Sequence, residues 1–403
     1  MATRPTLYVV FTLTVVSLCA FPARAQFQHL PTRLRISNEC PFEIWVEQDY
    51  LNPTNPADII VNIQNGQYYD YKIPAAGVAA TRFWAKAACD AKGWNCGIGE
   101  SQSVPTSVSG GDQTQQTIFD SPIDSKFEAT WGCVLPDQKD CALNPSNGKP
   151  LPSLTNWDAS AVDGYTFPFS VLVVGDTTNS CQDQSGNQVT QISCGGLQAS
   201  SCPSDNLSTG GNFNTINGVS VTSVPLTYTA FTNGTSVVGC FSPCEILTSA
   251  AWMGWASMLG NLTPSSNPAL MYCCPGAQVS STQCNTTGVT IGNQTLPAVV
   301  AGTNYVSTVH EVCNAYAYSY DDSIGDVSCN GLVQYQLTFC PGGKSMPLPL
   351  PPPRVPMTFC NSTVKPPQLC PGNIPCPSTP AACGTNPTAC KCPPQSSSQP
   401  RKD

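Results

Sequence analysis

Apolar and polar residues alternate with a period of two in several short runs of this chain. Thr81-Arg82-Phe83-Trp84, Ser170 to Val174 and Gln334 to Phe339 have this pattern. Leu34-Arg35-Ile36 and Glu43-Ile44-Trp45-Val46 read the same way on either side of Asn38-Glu39-Cys40-Pro41. Such alternation turns one face of an extended segment toward a core, so each run is predicted to be a strand of one sandwich. One segment breaks the pattern. Ser242-Pro243-Cys244-Glu245 has the form of a capping box, and Ile246 to Leu259 is then almost wholly apolar up to Gly260. This predicts a core helix, too short to span a bilayer. Between them, Ser204 to Gly239 is rich in Gly, Ser, Thr and Asn and is read as a long loop.

Composition supports a mainly β chain. The 38 prolines and 31 glycines imply many turns, and charged helical stretches are nearly absent. The 23 cysteines narrow the compartment. Cys19 lies in an apolar N-terminal run, sixteen lie between Cys40 and Cys340, and six lie between Cys360 and Cys392. Cysteine use of this kind belongs where disulfides persist. Arg4, the apolar run Leu7 to Phe21 and Ala23-Arg24-Ala25 have a signal-peptide layout, so residues 1–25 are expected to be removed before Gln26. The chain is thus expected to be secreted, extracellular or in a cell wall, with no membrane anchor. Sequons at Asn206, Asn233, Asn261, Asn285, Asn293 and Asn361 are candidate N-glycosylation sites.

Charge and chemistry exclude several classes. Only 10% of residues are charged and the net charge is −8, so there is no basic patch for nucleic acid. His29 and His310 are the only histidines, and no supporting motif surrounds either. Serine hydrolase, metalloenzyme and nucleotide-dependent readings therefore lack their residues, and neither a metal nor a cofactor is expected. After Cys340 the composition shifts. Met346 to Pro356 is largely proline, so residues 342–403 are read as a polyproline-type linker and a cysteine-rich tail, poorly ordered. The tail cysteines are open to three local bridges or to cross-links with other chains.

The most specific motifs lie late in the chain. Cys313-Asn314-Ala315-Tyr316-Ala317-Tyr318-Ser319-Tyr320-Asp321-Asp322 leads to Cys329 and then to Tyr335-Gln336-Leu337-Thr338-Phe339-Cys340-Pro341. Asp158-Ala159-Ser160-Ala161-Val162-Asp163-Gly164-Tyr165 with Pro168, Cys240 with Cys244-Glu245, the doublet Cys273-Cys274, Cys284, and Asn38-Glu39-Cys40-Pro41 with Trp45 keep the same order. Together they resemble thaumatin-like proteins, the pathogenesis-related group that includes thaumatin, osmotin and zeamatin, over about residues 33–341. The resemblance implies an antiparallel β-sandwich, about 33–180 and 314–341, within a domain spanning 26–341. It also implies a disulfide-rich second lobe, about 181–313. Its implied bridges are Cys40–Cys340, Cys89–Cys96, Cys181–Cys329, Cys194–Cys313, Cys202–Cys240, Cys244–Cys273 and Cys274–Cys284. Adjacent Cys273 and Cys274 cannot easily bond each other, which agrees with outward pairing. The sequence departs from the family at Gly97-Ile98-Gly99-Glu100-Ser101, where Glu100 and Ser101 replace the usual Asp-Cys. We read Cys133 and Cys141 as a local replacement bridge.

The same resemblance implies an acidic cleft formed by Arg82, Glu128, Asp158, Asp163 and Asp321, with Asp322 the alternative to Asp321 if the register slips by one. Lys86 replaces the family's second basic residue. Carboxylates accept hydrogen bonds from sugar hydroxyls, and two flanking a glycosidic bond can hydrolyse it. The expected function is a defence or wall protein that binds β-1,3-glucan or another wall polysaccharide and acts against fungi. The expected assembly is a monomer unless the tail cross-links it. The enzymatic alternative is a weak endo-β-1,3-glucanase with Glu128 and Asp158 as catalytic residues. A structural matrix protein and a hydrolase inhibitor remain further alternatives. Without the resemblance, Asp163-Gly164 and Asp321-Asp322 read equally well as turn residues.

Overall fold

The computed structural model describes residues 32–49, 60–94, 96–99, 124–175, 180–208, 214–222, 224–229, 237–248, 262–276, 278–292, 294–330 and 332–343. The expected signal segment, His29, Glu100, Ser101, the tail from 344 on, and sequons Asn233, Asn261, Asn293 and Asn361 lie outside them.

The strands in chain order are β1 (Leu34–Asn38), β2 (Ile44–Asp49), β3 (Ile60–Ile63), β4 (Tyr68–Tyr71), β5 (Val78–Lys86), β6 (Lys126–Trp131), β7 (Leu154–Ser160), β8 (Gly164–Tyr165), β9 (Phe169–Val174) and β10 (Cys181–Asp183). They continue as β11 (Gln191–Cys194), β12 (Thr215–Ile216), β13 (Val219–Ser220), β14 (Thr227–Thr229), β15 (Val237–Phe241), β16 (Val289–Ile291), β17 (Gln294–Leu296), β18 (Val327–Asn330) and β19 (Gln334–Phe339). Two large sheets form, a five-stranded one ordered β11-β9-β19-β1-β4 and a seven-stranded one ordered β10-β18-β7-β6-β5-β2-β3. Their pairings are antiparallel except for β1 with β19, which run parallel side by side. That pair joins the two ends of the domain, and Cys40–Cys340 closes it just beyond.

Alternation explains how the sheets meet. Phe83, Phe127 and Trp157 of the seven-stranded sheet and Leu34, Ile36, Tyr71, Tyr335 and Leu337 of the five-stranded sheet share one buried core. Tyr335 lies 5.5 Å from Trp157 and 5.4 Å from Trp131 between ring centroids, so aromatic edges bridge the layers. The fold is a mainly β sandwich. Arg33 enters from one end, donating to the Gly132 carbonyl and to Thr155 while its guanidinium lies over Trp131.

The lobe after β11 is small strands and short helices held by cysteines. Among the described residues sixteen cysteines form eight disulfides, Cys40–Cys340, Cys89–Cys96, Cys133–Cys141, Cys181–Cys329, Cys194–Cys313, Cys202–Cys240, Cys244–Cys273 and Cys274–Cys284. The stretch expected to be one long loop instead contains the β12–β13 hairpin and β14, which pairs with β15. Buried Ile216, Val221, Leu226 and Tyr228 anchor these pieces, and spaced apolar residues of this kind are easily missed in polar sequence. The predicted helix begins as expected at Pro243, with Ser242 Oγ accepting the Glu245 N–H. It is described to Thr248, and its expected continuation lies outside the described residues. No described helix is long and apolar enough to cross a membrane.

Candidate functional site

Strand register assembles the site from residues far apart in sequence. Arg82 on β5 pairs with Glu128 on β6, and Glu128 pairs with Asp158 on β7. Their strand neighbours Phe83, Phe127, Ala159 and Trp157 face the core, so the three charged residues form a row on the opposite face. The next row in that face is Glu47, Trp84, Lys126 and Ser160.

The Arg82 Nε lies 2.5 Å from Glu128 Oε1, an ion pair open to solvent on the arginine side. Asp158 differs from its neighbour. Its Oδ1 is buried and has no hydrogen-bond partner. Burial, followed by the charges of Glu128 and Asp326, holds the Asp158 carboxyl well above the usual carboxylate range; Arg82 opposes this and Asp322 adds to it. A carboxyl biased toward its protonated form thus stands beside the Arg82–Glu128 ion pair.

The lobe meets this row at the end of β7. The Ala161 N–H donates to the Tyr316 carbonyl at 2.7 Å, and the Tyr316 N–H donates to the Ala159 carbonyl at 2.8 Å. The Tyr316 hydroxyl donates to Asp322 Oδ1 at 2.7 Å. Burial and the neighbouring acids Asp322, Asp326 and Asp158 raise the Tyr316 hydroxyl far above the tyrosine range, so it stays a donor.

Two expected members are held by other partners. Asp163 is ion-paired with Lys126, whose ammonium is buried, and so anchors the turn after β7. Asp321 is buried, accepts the Ala317 N–H at 2.8 Å and lies 2.7 Å from His310 Nε2. The chain turns between Asp321 and Asp322, so the side chain that acts on Asp158 and Tyr316 is that of Asp322, one residue on. Lys86 is also withdrawn, fully buried 2.8 Å from Glu47 with its ammonium over Trp94. Beside it, burial pushes the Asp124 carboxyl up to about 8, against a hydrogen bond from Thr166 and the charges of Lys126 and Lys86.

Asp326, Tyr316 and Asp124 were not singled out from the sequence as site residues. Asp326 and Asp124 carry no local pattern that separates them from surface acids. Tyr316 lay within the quoted cysteine motif, which marked its segment but not its hydroxyl. Asn206 and Asn285 are described and half-buried; Asn206 Oδ1 accepts from the Ser208 N–H, and Asn285 Oδ1 is buried without a partner. Among the described residues, no group of three or more His, Cys, Asp or Glu is arranged to hold a metal ion.

No family model matches the chain. A protein of Prunus avium named glucan endo-1,3-beta-glucosidase is 24% identical over 343 residues, covering 83% of this chain and 99% of that protein. Thaumatin-like protein 1 of Castanea sativa is 27% identical over 186 residues, and thaumatin-like protein 2 of Prunus persica is 26% identical over the same length. Each of these two matches covers 46% of this chain and 49% of the relative, so the chain spans about half the length of both. A solved structure of the thaumatin-like xylanase inhibitor TLXI covers 40% of this chain and 82% of its own at 12% identity with a TM-score of 0.23, and it adds nothing to the sequence matches.

Proposed function

We propose that this chain, a thaumatin-like protein, is a secreted defence or wall protein that binds β-1,3-glucan along the outer face of its seven-stranded sheet. The row Arg82–Glu128–Asp158 carries this reading. Glu128, with Asp322 and Asp326 beyond it, offers acceptors to the hydroxyls of a neutral sugar chain. Arg82 supplies donors and keeps the acids from repelling one another. The name of the Prunus avium relative, which matches over nearly its whole length, supports a β-1,3-glucan ligand. The disulfides fit an oxidising compartment and hence an extracellular or wall location. Titration of the protein with soluble β-1,3-glucan oligosaccharides in a calorimeter tests the reading. Saturable heat for β-1,3-linked but not β-1,4-linked oligomers is expected, and no heat for either would overturn it.

One observation favours a second reading, hydrolysis. Burial biases Asp158 toward keeping its proton, while Glu128 beside it is paired with Arg82, an asymmetry of the kind a glycosidase pair uses. Asp158 would protonate the leaving glycosidic oxygen as Glu128 attacks the anomeric carbon; water, giving its proton to the now deprotonated Asp158, would then displace Glu128 from the anomeric carbon. Directly opposed residues on adjacent strands have Cβ atoms about 5 Å apart, so their carboxyls can reach the roughly 5 Å separation of a retaining pair. Incubation with laminarin tests it. Shorter oligomers that keep the β-anomer are expected, and intact laminarin across acidic and neutral pH leaves binding alone.

A further inference from the structure

We propose that Tyr316 is a positioning residue of this site, fixing the Asp322 carboxylate against the Glu128–Asp158 row. The inference rests on the reading of that row as the glucan site, and it adds a residue from the lobe side. Three independent contacts hold Tyr316 in place. Its backbone is zipped to the end of β7 through Ala159 and Ala161, the residues that follow Asp158. Its hydroxyl donates to Asp322 Oδ1 at 2.7 Å. Its ring packs on the short helix Asp322–Gly325, where a Cβ on Gly325 would come within 2.2 Å of Tyr316 Cδ2.

Asp322 begins that helix and its side chain is exposed, so by itself the carboxylate would sample several rotamers. The Tyr316 hydroxyl selects one of them. The preceding residue cannot substitute for it, because Asp321 points inward to His310 and to the Ala317 N–H. Tyr316 is thus the bridge by which the lobe segment after Cys313 sets an acid beside the sheet. A hydroxyl is suited to this because it donates to a carboxylate without adding a charge that would compete with Arg82 for Glu128.

The test uses Tyr316→Phe, Asp322→Asn and the double variant of the full chain, with co-sedimentation on insoluble β-1,3-glucan and a crystal structure of Tyr316→Phe. Phenylalanine keeps the ring against Gly325, so an unchanged thermal midpoint is expected. Affinity should fall about 10-fold in Tyr316→Phe, the scale of one hydrogen bond to a charged group. The double variant should be no weaker than Asp322→Asn, because the tyrosine acts through that acid. Gly325→Ala, which displaces the ring but keeps the hydroxyl, should weaken binding in the same direction. In the Tyr316→Phe crystal the Asp322 carboxylate should leave its position. Wild-type affinity in Tyr316→Phe, losses that add in the double variant, or an unmoved Asp322 carboxylate would each overturn the proposal. The crystal result decides even if no variant of the row affects glucan binding, so failure of the glucan reading is told apart from failure of this one.

Discussion

Glu128 and Asp158 stand directly opposite each other on adjacent antiparallel strands, yet Arg82 pairs with Glu128 while Asp158 Oδ1 is buried without a hydrogen-bond partner. A buried carboxyl oxygen left without a partner costs stability. Because the folded carboxyl of Asp158 is raised mainly by burial, its contribution to stability is full below the ordinary carboxylate range and is lost as pH rises through the raised value. Asp158→Asn removes the ionisation. It should raise the thermal midpoint at pH 8 relative to wild type and change little at pH 4. Calorimetric scans across pH check this.

The Lys126–Asp163 pair makes a different demand. The Lys126 ammonium is buried, and the Asp163 carboxylate that meets it is only partly exposed. Asp163→Asn should destabilise the fold by about 2–3 kcal/mol, since a buried cation loses a charged partner. The folded fraction should bind β-1,3-glucan as wild type does. Urea denaturation with a parallel binding measurement separates this anchoring role from a cleft role.

Asp124 tests the buried network on the same face. Its folded carboxyl titrates at about 8, raised by burial, so the stability it confers is present below pH 4 and lost as pH rises toward 8 and beyond. Asp124→Asn keeps an acceptor for the Thr166 hydroxyl and adds a donor where Oδ2 has no partner. The variant should gain on wild type by about 4 kcal/mol between pH 5 and pH 9. An equal difference at both pH values would show that the Asp124 proton is not linked to folding.

The Cys133–Cys141 bridge encloses a short loop and a small separate core with Leu151. Replacing both cysteines with alanine should cost about 2.5 kcal/mol by loop entropy. The row Arg82–Glu128–Asp158 should keep its register, because its pairing lies along β5, β6 and β7. Thermal unfolding together with glucan binding checks both parts.

The five runs with clear alternation, around Leu34, Ile44, Phe83, Val171 and Leu337, were legible as strands because each shows one face to an apolar core. β18 escaped notice because Val327–Asn330 is short and half polar, and what makes it a strand is its pairing with β7 and β10. The site divides the same way. Arg82, Glu128 and Asp158 could be named from family resemblance, but their adjacency is a matter of register between strands, which no local pattern encodes. Asp321 and Asp322 are equivalent acids in sequence, and only the turn between them sends one inward to His310 and the other to Tyr316. The burial of Lys86, Lys126 and Asp124 is not legible in the sequence, because burial of a charge depends on tertiary partners.

Binding of wild type and of the Glu128→Gln/Asp158→Asn double variant to insoluble β-1,3-glucan, at matched folded concentration, tests the central claim most directly. Wild type should sediment with the polysaccharide, and the double variant should lose at least about 10-fold in affinity with its fold intact. Undiminished sedimentation of the double variant would contradict the assignment of this row as the glucan site.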